Sequence, residues 1–447
     1  MRYLLAVAIL IAALTVTVSA ETYKVGPAEK VKKVSEVIER LAPGDVIELS
    51  GDITDSFICR KSGTAEKPIV IRGADGKRAK IDFAKARNGI ETRGDYWSFE
   101  NLELANASSR GIFHVSHGIV VRNCYFHDNN NGIMGADSET TGDILIEYCE
   151  FFHNGGGIYA HQMYLASWKP GATATVQFNY IHDSTGGVNI KSRMAHNIIR
   201  YNWIENAANY ECDIVDSDQA PNAAALRPMN TEFIGNVVIT NTKGNPHHKM
   251  NLGSDQPRSP GTEGTFTIAN NTFVCRLASD EIHMIRFGGK VKEALLYNNI
   301  FVAPEVPAFR VLVIENDKAE EGKPGSEGRL GRLAGSSNFI ASNAVDLPEE
   351  LKNTVRGKDA GFVDFSKYDF NLAKSSPCIG AGDIKAPMAA RFSPVMAKIV
   401  AGQEAKRPVG EKMDIGAYGM TVAGLADEGS AISSGAKATR VESTRSR

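Results

Sequence analysis

Side chains that could act as acids, bases or cationic ligands are concentrated in the middle of the chain. Residues 185–203 include no Asp or Glu and four basic side chains, Lys191, Arg193, His196 and Arg200. Residues 204–226 include no Lys or Arg and five acidic side chains, Glu205, Glu211, Asp213, Asp216 and Asp218. A basic coil beside an acidic one could bind an anionic sugar and shift the pKa of a basic group. Ordinary solvated ion pairs on successive turns would give the same pattern.

Several short alternating segments begin with Gly, and aligning them predicts which side chains share a column on a sheet. The aligned segments are Gly89–Arg93, Gly111–Val115, Gly132–Ala136, Gly157–His161 and Gly187–Lys191. The Ile or Val after each Gly would face a core, so alternate residues would face outward. One predicted outward column contains Glu91, Phe113, Met134, Tyr159, Asn189 and Asp213, and the other contains Arg93, Val115, Ala136, His161 and Lys191. We therefore expect His161 one strand from Lys191, with Tyr159 and Asn189 beside them.

Composition excludes two classes of protein. Of 447 residues, 43% are hydrophobic and 23% are charged, which excludes a wholly disordered chain. A net charge of −2 argues against a globally basic nucleic-acid binder.

The N-terminus has the pattern of a signal peptide over residues 1–20. An apolar run from Leu4 to Val16 follows Arg2, and Val18-Ser19-Ala20 before Glu21 has the small-x-small form of a cleavage site. A membrane anchor is the alternative, although the apolar run is short for a span. We expect an exported protein that is secreted, periplasmic or at the cell surface, with no membrane span after cleavage, acting as a monomer.

A repeated unit organises the rest of the chain. Its fourth position falls at residues 102, 124, 149, 179, 202, 236, 271 and 299, in steps of 22 to 35 residues, and from 179 onward it is always Asn. A short strand and a turn in each repeat predict coils that stack in register. Stacked Asn side chains would satisfy one another and the turn backbone in an inward ladder.

Cys124 and Cys149 occupy this fourth position on successive repeats, about 4.8 Å apart by strand spacing. A disulfide is within reach at that separation. We expect buried free thiols acting as small apolar fillers instead.

The repeats, together with Leu41–Leu49, Lys67–Gly73 and Asp369–Gly382, resemble secreted right-handed parallel β-helix proteins. The resemblance implies an all-β right-handed parallel β-helix (solenoid) of roughly ten coils over residues 21–420. It also implies an N-terminal capping helix, which we place at Val31–Leu41. Residues 421–447 are rich in Ser, Ala, Gly and Thr and are expected to form a disordered C-terminal tail.

The segment Val188–Ile204 is similar to the Lys-Ser segment of the chondroitinase-B and alginate lyase family. The resemblance implies that Lys191 is the base that abstracts a proton. The family's downstream Leu-x-Arg-His-Gly segment has no counterpart here, so Arg193 is a substitute candidate for the family's partner arginine.

The interpretation we favour is a polysaccharide lyase that cleaves an acidic polysaccharide by β-elimination. This reaction needs a cation for the uronate carboxylate, a base for the neighbouring proton and an acid for the leaving oxygen. The predicted catalytic residues are Lys191, His161, Arg193 and Tyr159, with Tyr164 as an alternative acid. The predicted substrate-binding residues are Asn189, Tyr164, His247, His248 and Arg286.

Calcium is a possible cofactor, because Asp213 and Asp216 could supply oxygen ligands. Other functions stay open on the same scaffold. A uronan epimerase needs nearly the same groups, and a glycoside hydrolase could use the carboxylates of Asp213, Asp216 and Asp218. The alternative of a different class is a non-catalytic protein that binds glycans or builds a surface assembly.

Overall fold

Each turn of the chain contributes one short strand to each of three long parallel sheets, which we name sheets A, B and C. The computed structural model describes residues 19–217, 220–241, 248–255, 261–277, 282–314, 330–386, 390–393, 404–407 and 412–419. Strands follow one another along every sheet in chain order, so successive turns stack as coils of a parallel β-helix. The expectation of about ten coils is confirmed.

Sheet A has twelve strands. They are Thr22–Val25, Val46–Leu49, Ile69–Gly73, Trp97–Glu100, Ile119–Arg122, Ile144–Glu147, Thr173–Gln177, His196–Arg200, Asn230–Ile234, Thr265–Ala269, Val291–Tyr297 and Leu330–Ser336.

Sheet B also has twelve strands. They are Ile53–Thr54, Ala79–Asp82, Leu102–Ala105, Tyr125–His127, Glu150–Phe152, Tyr180–His182, Trp203–Glu205, Val237–Thr240, Thr272–Cys275, Ile300–Val302, Phe339–Ala341 and Val355–Gly357.

Sheet C has ten strands and carries the residues of the candidate site. They are Phe57–Cys59, Asn88–Thr92, Arg110–His114, Asn131–Gly135, Met163–Ala166, Ile190–Arg193, Cys212–Val215, His248–Gly253, His283–Phe287 and Arg310–Ile314.

Two small antiparallel pairs lie outside the three sheets, Phe362–Asp364 with Asp369–Leu372 and Phe392–Ser393 with Ala405–Lys406. The helical elements in the described ranges are all short 3₁₀ turns. They span Val34–Glu36, Ile38–Arg40, Ala74–Gly76, Ala223–Leu226, Glu349–Leu351 and Phe365–Lys367.

The predicted Asn ladder is confirmed and extends one coil further than the sequence repeat indicated. Each Asn side chain donates to the carbonyl oxygen of the Asn side chain on the next coil, at 3.0 or 3.1 Å, and all members are buried. The ladder consists of Asn179, Asn202, Asn236, Asn271, Asn299 and Asn338. These bonds satisfy amides that would otherwise be costly to bury, and they fix the register of adjacent coils.

Cys124 and Cys149 extend the same column toward the N-terminus. The backbone N–H of Cys149 donates to the side-chain oxygen of Asn179 at 2.9 Å. All six cysteines of the chain are free and buried, so the expected free thiols are confirmed.

The capping helix predicted at Val31–Leu41 is wrong. Two separate 3₁₀ turns, Val34–Glu36 and Ile38–Arg40, occupy that segment. Asp55 accepts hydrogen bonds from the backbone N–H and the hydroxyl of Ser35, at 2.9 and 3.0 Å, which ties the first turn to the neighbouring coil. Val37, with φ −120°, interrupts helical geometry between the two turns.

The predicted signal peptide falls mainly on residues 1–18, and the predicted tail falls on residues 421–447. Residues 1–18 and the tail lie outside the described residues. Among the residues that are described, no helix has the length and apolar character needed to cross a membrane.

Candidate active site

Sheet C presents one continuous outward column of polar side chains. Lys191 and Arg193 lie on the outer face of the strand Ile190–Arg193, whereas Ile190 and Ser192, which alternate with them, are fully buried. Register pairing then defines a column of five side chains on five adjacent strands. The column runs Tyr164, Lys191, Asp213, Asn251 and Arg286.

The Gly-based alignment placed two members of this column incorrectly. Glu91, Phe113 and Met134 pair as predicted, but the next residue in the column is Tyr164. Because residues 155–160 form a turn, the strand of that coil starts only at Met163. Lys191 therefore shares the column predicted for Asn189.

Lys191 lies between two carboxylates. Its ammonium donates to Oδ2 of Asp213 and to Oδ2 of Asp255, the latter at 2.7 Å. Only 12% of the Lys191 side chain is exposed. Burial lowers the pKa of Lys191, but the negative charges of Asp213 and Asp255 outweigh burial and leave this pKa raised.

Arg193 shares Asp255 with Lys191. Nη2 of Arg193 lies 3.0 and 2.7 Å from the two carboxylate oxygens of Asp255. Nη1 donates to the backbone carbonyl of Asp216. Burial raises the pKa of Asp255, yet the two cations dominate and hold it below its usual value. Asp255 is thus a carboxylate bound by an ammonium and a guanidinium together.

A further chain of hydrogen bonds supports Asp213. Asn251 donates to Oδ1 of Asp213 at 2.8 Å, and Arg286 donates to the side-chain oxygen of Asn251. Arg286 also donates to the backbone carbonyl of Ser254 at 2.9 Å. The predicted residue Arg286 therefore belongs to the same cluster as Lys191, two strands beyond Asp213.

His161 lies beside the column rather than in it. Its ring is 5.8 Å from the ring of Tyr164, and its Nδ1 accepts a hydrogen bond from the backbone N–H of Val188 at 3.1 Å. Burial, followed by the positive charges of Lys191 and Arg193, lowers the pKa of His161 to about 3. His161 is therefore neutral at physiological pH and is a poor general acid.

The turn beside His161 requires glycine. Gly187 has φ +58°, and a Cβ at this position would lie 2.2 Å from the carbonyl oxygen of Ala160 and 2.4 Å from His161 Nδ1. His161 thus positions the turn that leads into the strand of Lys191.

Two phenols border the cluster. Tyr164 pairs directly with Lys191, and burial, followed by the charge of Asp137, raises its pKa. Tyr210 has its pKa raised by burial, then by Asp213, with smaller effects from Arg286, Lys191 and Asp255. Both hydroxyls therefore keep their protons at neutral pH.

The remaining predicted residues are spread over different surroundings. Tyr159 is 86% exposed on the 155–160 turn, outside the Lys191 column. Asn189 is fully buried and donates to the carbonyl of Glu205 and to Glu211, both at 2.8 Å, so it does not lie in the Lys191 column. His247 lies outside the described residues, and His248 begins a strand of sheet C.

The predicted calcium ligands do not converge. Asp213 binds Lys191, whereas Asp216 is fully buried, accepts from the backbone N–H of Gly261 at 3.1 Å and lies 3.7 Å from Arg227. Within the described ranges, no three His, Cys, Asp or Glu side chains form a group suited to a metal ion. Asp213 and Asp216 thus do not fit a calcium ion in this arrangement, and we derive no step that involves one.

Sequence reasoning missed Asp255, Asn251 and Tyr210. Continuing the column alignment one coil beyond Asp213 through the alternating segment Met250–Gly253 would have found Asn251. Asp255 follows the end of that strand, where strand periodicity no longer predicts direction.

Comparisons with known proteins agree with this architecture. A family model described as "Right handed beta helix region" matches residues 69–238. The fold is the right-handed parallel β-helix. The pectate lyase Pel9A structure aligns with a TM-score of 0.51 and 15% identity, covering 91% of this chain and 98% of its own.

Sequence relatives are also lyases by name. Pectate lyase L of Dickeya dadantii (strain 3937) is 22% identical over 342 residues, which is 72% of each chain. Pectate lyase L of Dickeya chrysanthemi is 32% identical over 78 residues, covering 16% of this chain and 18% of the relative. The chain therefore resembles polysaccharide lyases in fold and, distantly, in sequence.

Proposed function

We propose that this protein is a polysaccharide lyase that cleaves an acidic polysaccharide by β-elimination. The observation that carries the proposal is the placement of Lys191, Arg193 and Tyr164 on one outward face of sheet C. These three side chains supply a base, a cation and a hydroxyl donor within two adjacent strands. The names of the sequence relatives make pectate the first substrate to test.

In the proposed reaction, Arg193 neutralises the carboxylate of a uronate residue and so acidifies the proton on the adjacent ring carbon. The neutral amine of Lys191 takes that proton. The electron pair forms a carbon–carbon double bond as the bond to the glycosidic oxygen breaks. Tyr164 donates its hydroxyl proton to the leaving oxygen, which replaces the acid role predicted for His161 and Tyr159.

The protonation states match these roles except for that of Lys191. Tyr164 keeps its proton because its pKa is raised, as an acid must. The pKa of Lys191 is also raised, so only a small fraction is neutral at pH 7. We therefore propose an enzyme whose activity increases toward alkaline pH.

We also propose export to the extracellular space or periplasm, because a polymeric substrate is too large to enter a cell intact. The signal-peptide pattern of residues 1–20 supports this proposal.

One observation favours a second function, glycoside hydrolysis. The carboxylates of Asp213 and Asp255 approach the same ammonium of Lys191, which places two carboxyl groups close together on one face. Retaining hydrolases use two carboxyl groups about 5 Å apart. Lys191 and Arg193 hold the pKa of Asp255 below its usual value, so Asp255 does not supply the protonated acid that hydrolysis needs, and we rank hydrolysis second.

A substrate screen separates these functions. The purified protein is incubated with pectate, alginate, glycosaminoglycans and neutral glycans, and two signals are recorded. The ultraviolet absorbance of an unsaturated uronate indicates elimination, whereas new reducing ends without that absorbance indicate hydrolysis. Binding without either signal on any polymer would contradict the lyase proposal and favour a non-catalytic glycan-binding protein.

A further inference from the structure

Asp255 is bound in the way that proteins bind carboxylate ligands. Its Oδ2 lies 2.7 Å from Nζ of Lys191, and its two oxygens lie 2.7 and 3.0 Å from Nη2 of Arg193. A planar guanidinium and an ammonium that converge on one carboxylate form strong, charge-assisted hydrogen bonds. We call the position between these two cations the carboxylate seat.

Both cations are anchored independently of Asp255. Lys191 also binds Asp213, which Asn251 holds at 2.8 Å. Arg193 also binds the backbone carbonyl of Asp216. Lys191 and Arg193 therefore stay in place around the carboxylate seat when Asp255 is absent.

Asp255 is the most exposed charged member of this group. Its side chain is 17% exposed, compared with 12% for Lys191, 11% for Arg193 and 6% for Asp213. Among the described residues, its carboxylate makes its hydrogen bonds to Lys191 and Arg193. It follows the end of the strand His248–Gly253, whereas Lys191, Arg193 and Asp213 lie within strands. It is therefore the member that can most easily be exchanged.

We propose that Asp255 is an internal competitor that occupies the seat of the substrate carboxylate and is displaced by a uronate when substrate binds. This inference rests on the proposed function in taking an acidic sugar as the ligand. Exchange of one carboxylate for another leaves the charge of the cluster unchanged, so Arg193 stays paired in a largely buried site. Lys191 stays paired in the protonated majority of molecules, which bind the uronate, and acts as the base only in the small neutral fraction.

The exchange also predicts that the site prefers polymers to monosaccharides. A single uronate only replaces the hydrogen bonds that Asp255 already makes at the seat. It therefore gains little binding free energy, and monosaccharides bind weakly. A polymer makes further contacts along sheet C, and these contacts shift the exchange toward the substrate.

The experiment measures D-galacturonate binding by calorimetry to the wild type, Asp255→Ala, Asp255→Asn and Asp346→Ala. Asp346 is an exposed acid paired with Arg310, so its removal controls for the loss of one negative charge. We expect Asp255→Ala to bind galacturonate at least about tenfold more tightly than the wild type. Asp255→Asn should be intermediate, because its amide oxygen still accepts hydrogen bonds from both cations. Glucose binding should be the same in all four proteins.

Three results would overturn the proposal. They are unchanged galacturonate binding in Asp255→Ala, equal gains in Asp255→Asn and Asp255→Ala, and an equal gain in Asp346→Ala. The last two would indicate a change in net charge alone. If Asp255→Ala does not fold, as judged by circular dichroism, Asp255→Asn must still bind galacturonate more tightly than the wild type.

The outcome is separable from that of the lyase proposal. Tight galacturonate binding by Asp255→Ala, with no unsaturated product from any polymer, would support the seat and contradict the lyase. Unsaturated product from the wild type, with unchanged binding in Asp255→Ala, would support the lyase and contradict the seat.

Discussion

Lys191 and Tyr164 are direct partners on adjacent strands of sheet C, so an ammonium and a phenol project from the same face one strand apart. The spacing of adjacent strands is about 4.8 Å. In the proposed reaction, that separation lets both side chains reach one sugar residue and its glycosidic oxygen.

Lys191→Arg separates the charge of this residue from its basicity. Arginine keeps the positive charge between Asp213 and Asp255, but it does not lose its proton at working pH. We expect a normally folded variant whose elimination rate falls by about a hundredfold or more. Thermal unfolding and product absorbance, measured on the same preparation, check this. Wild-type turnover by Lys191→Arg would exclude Lys191 as the base.

Lys191→Ala is a less informative variant than Lys191→Arg. An outward lysine on a solvated sheet would contribute little to stability, but this lysine neutralises two carboxylates that are largely buried. Its removal leaves Asp213 with Asn251 and Asp255 with Arg193. We therefore use Lys191→Arg as the main test.

The pH dependence of turnover follows from the raised pKa of Lys191. The base is the neutral amine, so the rate should rise about tenfold per pH unit from neutral pH until the pKa is reached. Asp213→Asn removes the larger of the two raising charges and should move this rise to lower pH. A pH–rate profile for each protein checks the prediction, and a flat profile between pH 6 and 8 would contradict it.

The two tyrosines of the neighbouring coil should respond differently to loss of the hydroxyl. Tyr164→Phe removes the proposed acid and should lower kcat by about a hundredfold. Tyr159→Phe should leave kcat unchanged, because that side chain is 86% exposed and outside the column. Steady-state kinetics on the substrate found in the screen compare the two. Reversed effects would restore the sequence-based assignment of Tyr159.

The Asn ladder should be the most sensitive part of the core to loss of a hydrogen bond. Asn236 accepts from Asn202 and donates to Asn271 and to the carbonyl of Ile199. Asn236→Ala leaves several of these buried groups without partners and should lower the free energy of unfolding by about 3 kcal/mol. Urea unfolding measures the change, with the exposed Asn353→Ala as control. A loss no larger than that of the control would contradict the role of the ladder.

Buried Glu211 should make stability depend on pH. Burial raises its pKa from 4.5 to about 8, although hydrogen bonds from Ala207, Thr240 and Asn189 and the charge of Lys249 act against burial. A raised pKa means that the folded state holds the proton more tightly than the unfolded state. The stabilisation is therefore complete below pH 4.5 and is lost as the pH rises to about 8, by up to about 4 kcal/mol.

Glu211→Gln tests this dependence, since the amide cannot ionise. Its urea unfolding free energy should change less between pH 5 and 8 than that of the wild type. The exposed Glu350→Gln should behave like the wild type. Parallel pH dependence in all three proteins would contradict a role for Glu211.

The fold was largely predictable because one physical requirement recurs in every coil. An amide buried at the corner of each turn needs the same partner above and below it, so Asn returns at the same structural position from Asn179 to Asn299. The variable number of residues between these positions does not disturb the ladder, since the excess lies in the turns.

The candidate site was less predictable because the same turns vary in length before sheet C. Aligning Gly157 with Gly187 assumed equal spacing, yet the strand of the first coil begins only at Met163. Lys191 and Arg193 were identified through the similarity of Val188–Ile204 to the Lys-Ser segment, although the alignment assigned Lys191 to the wrong column. Asp255 was missed because it follows a strand end, and no periodicity predicts the direction of its side chain.

The six buried thiols have a consequence for how the protein can be made. With every cysteine free, the folded state has no covalent cross-link to form, reshuffle or reduce. Folding is then independent of oxidants and of disulfide isomerases. The chain should reach the same structure in a reducing cytoplasm as in an oxidising compartment, and added dithiothreitol should not change its melting temperature.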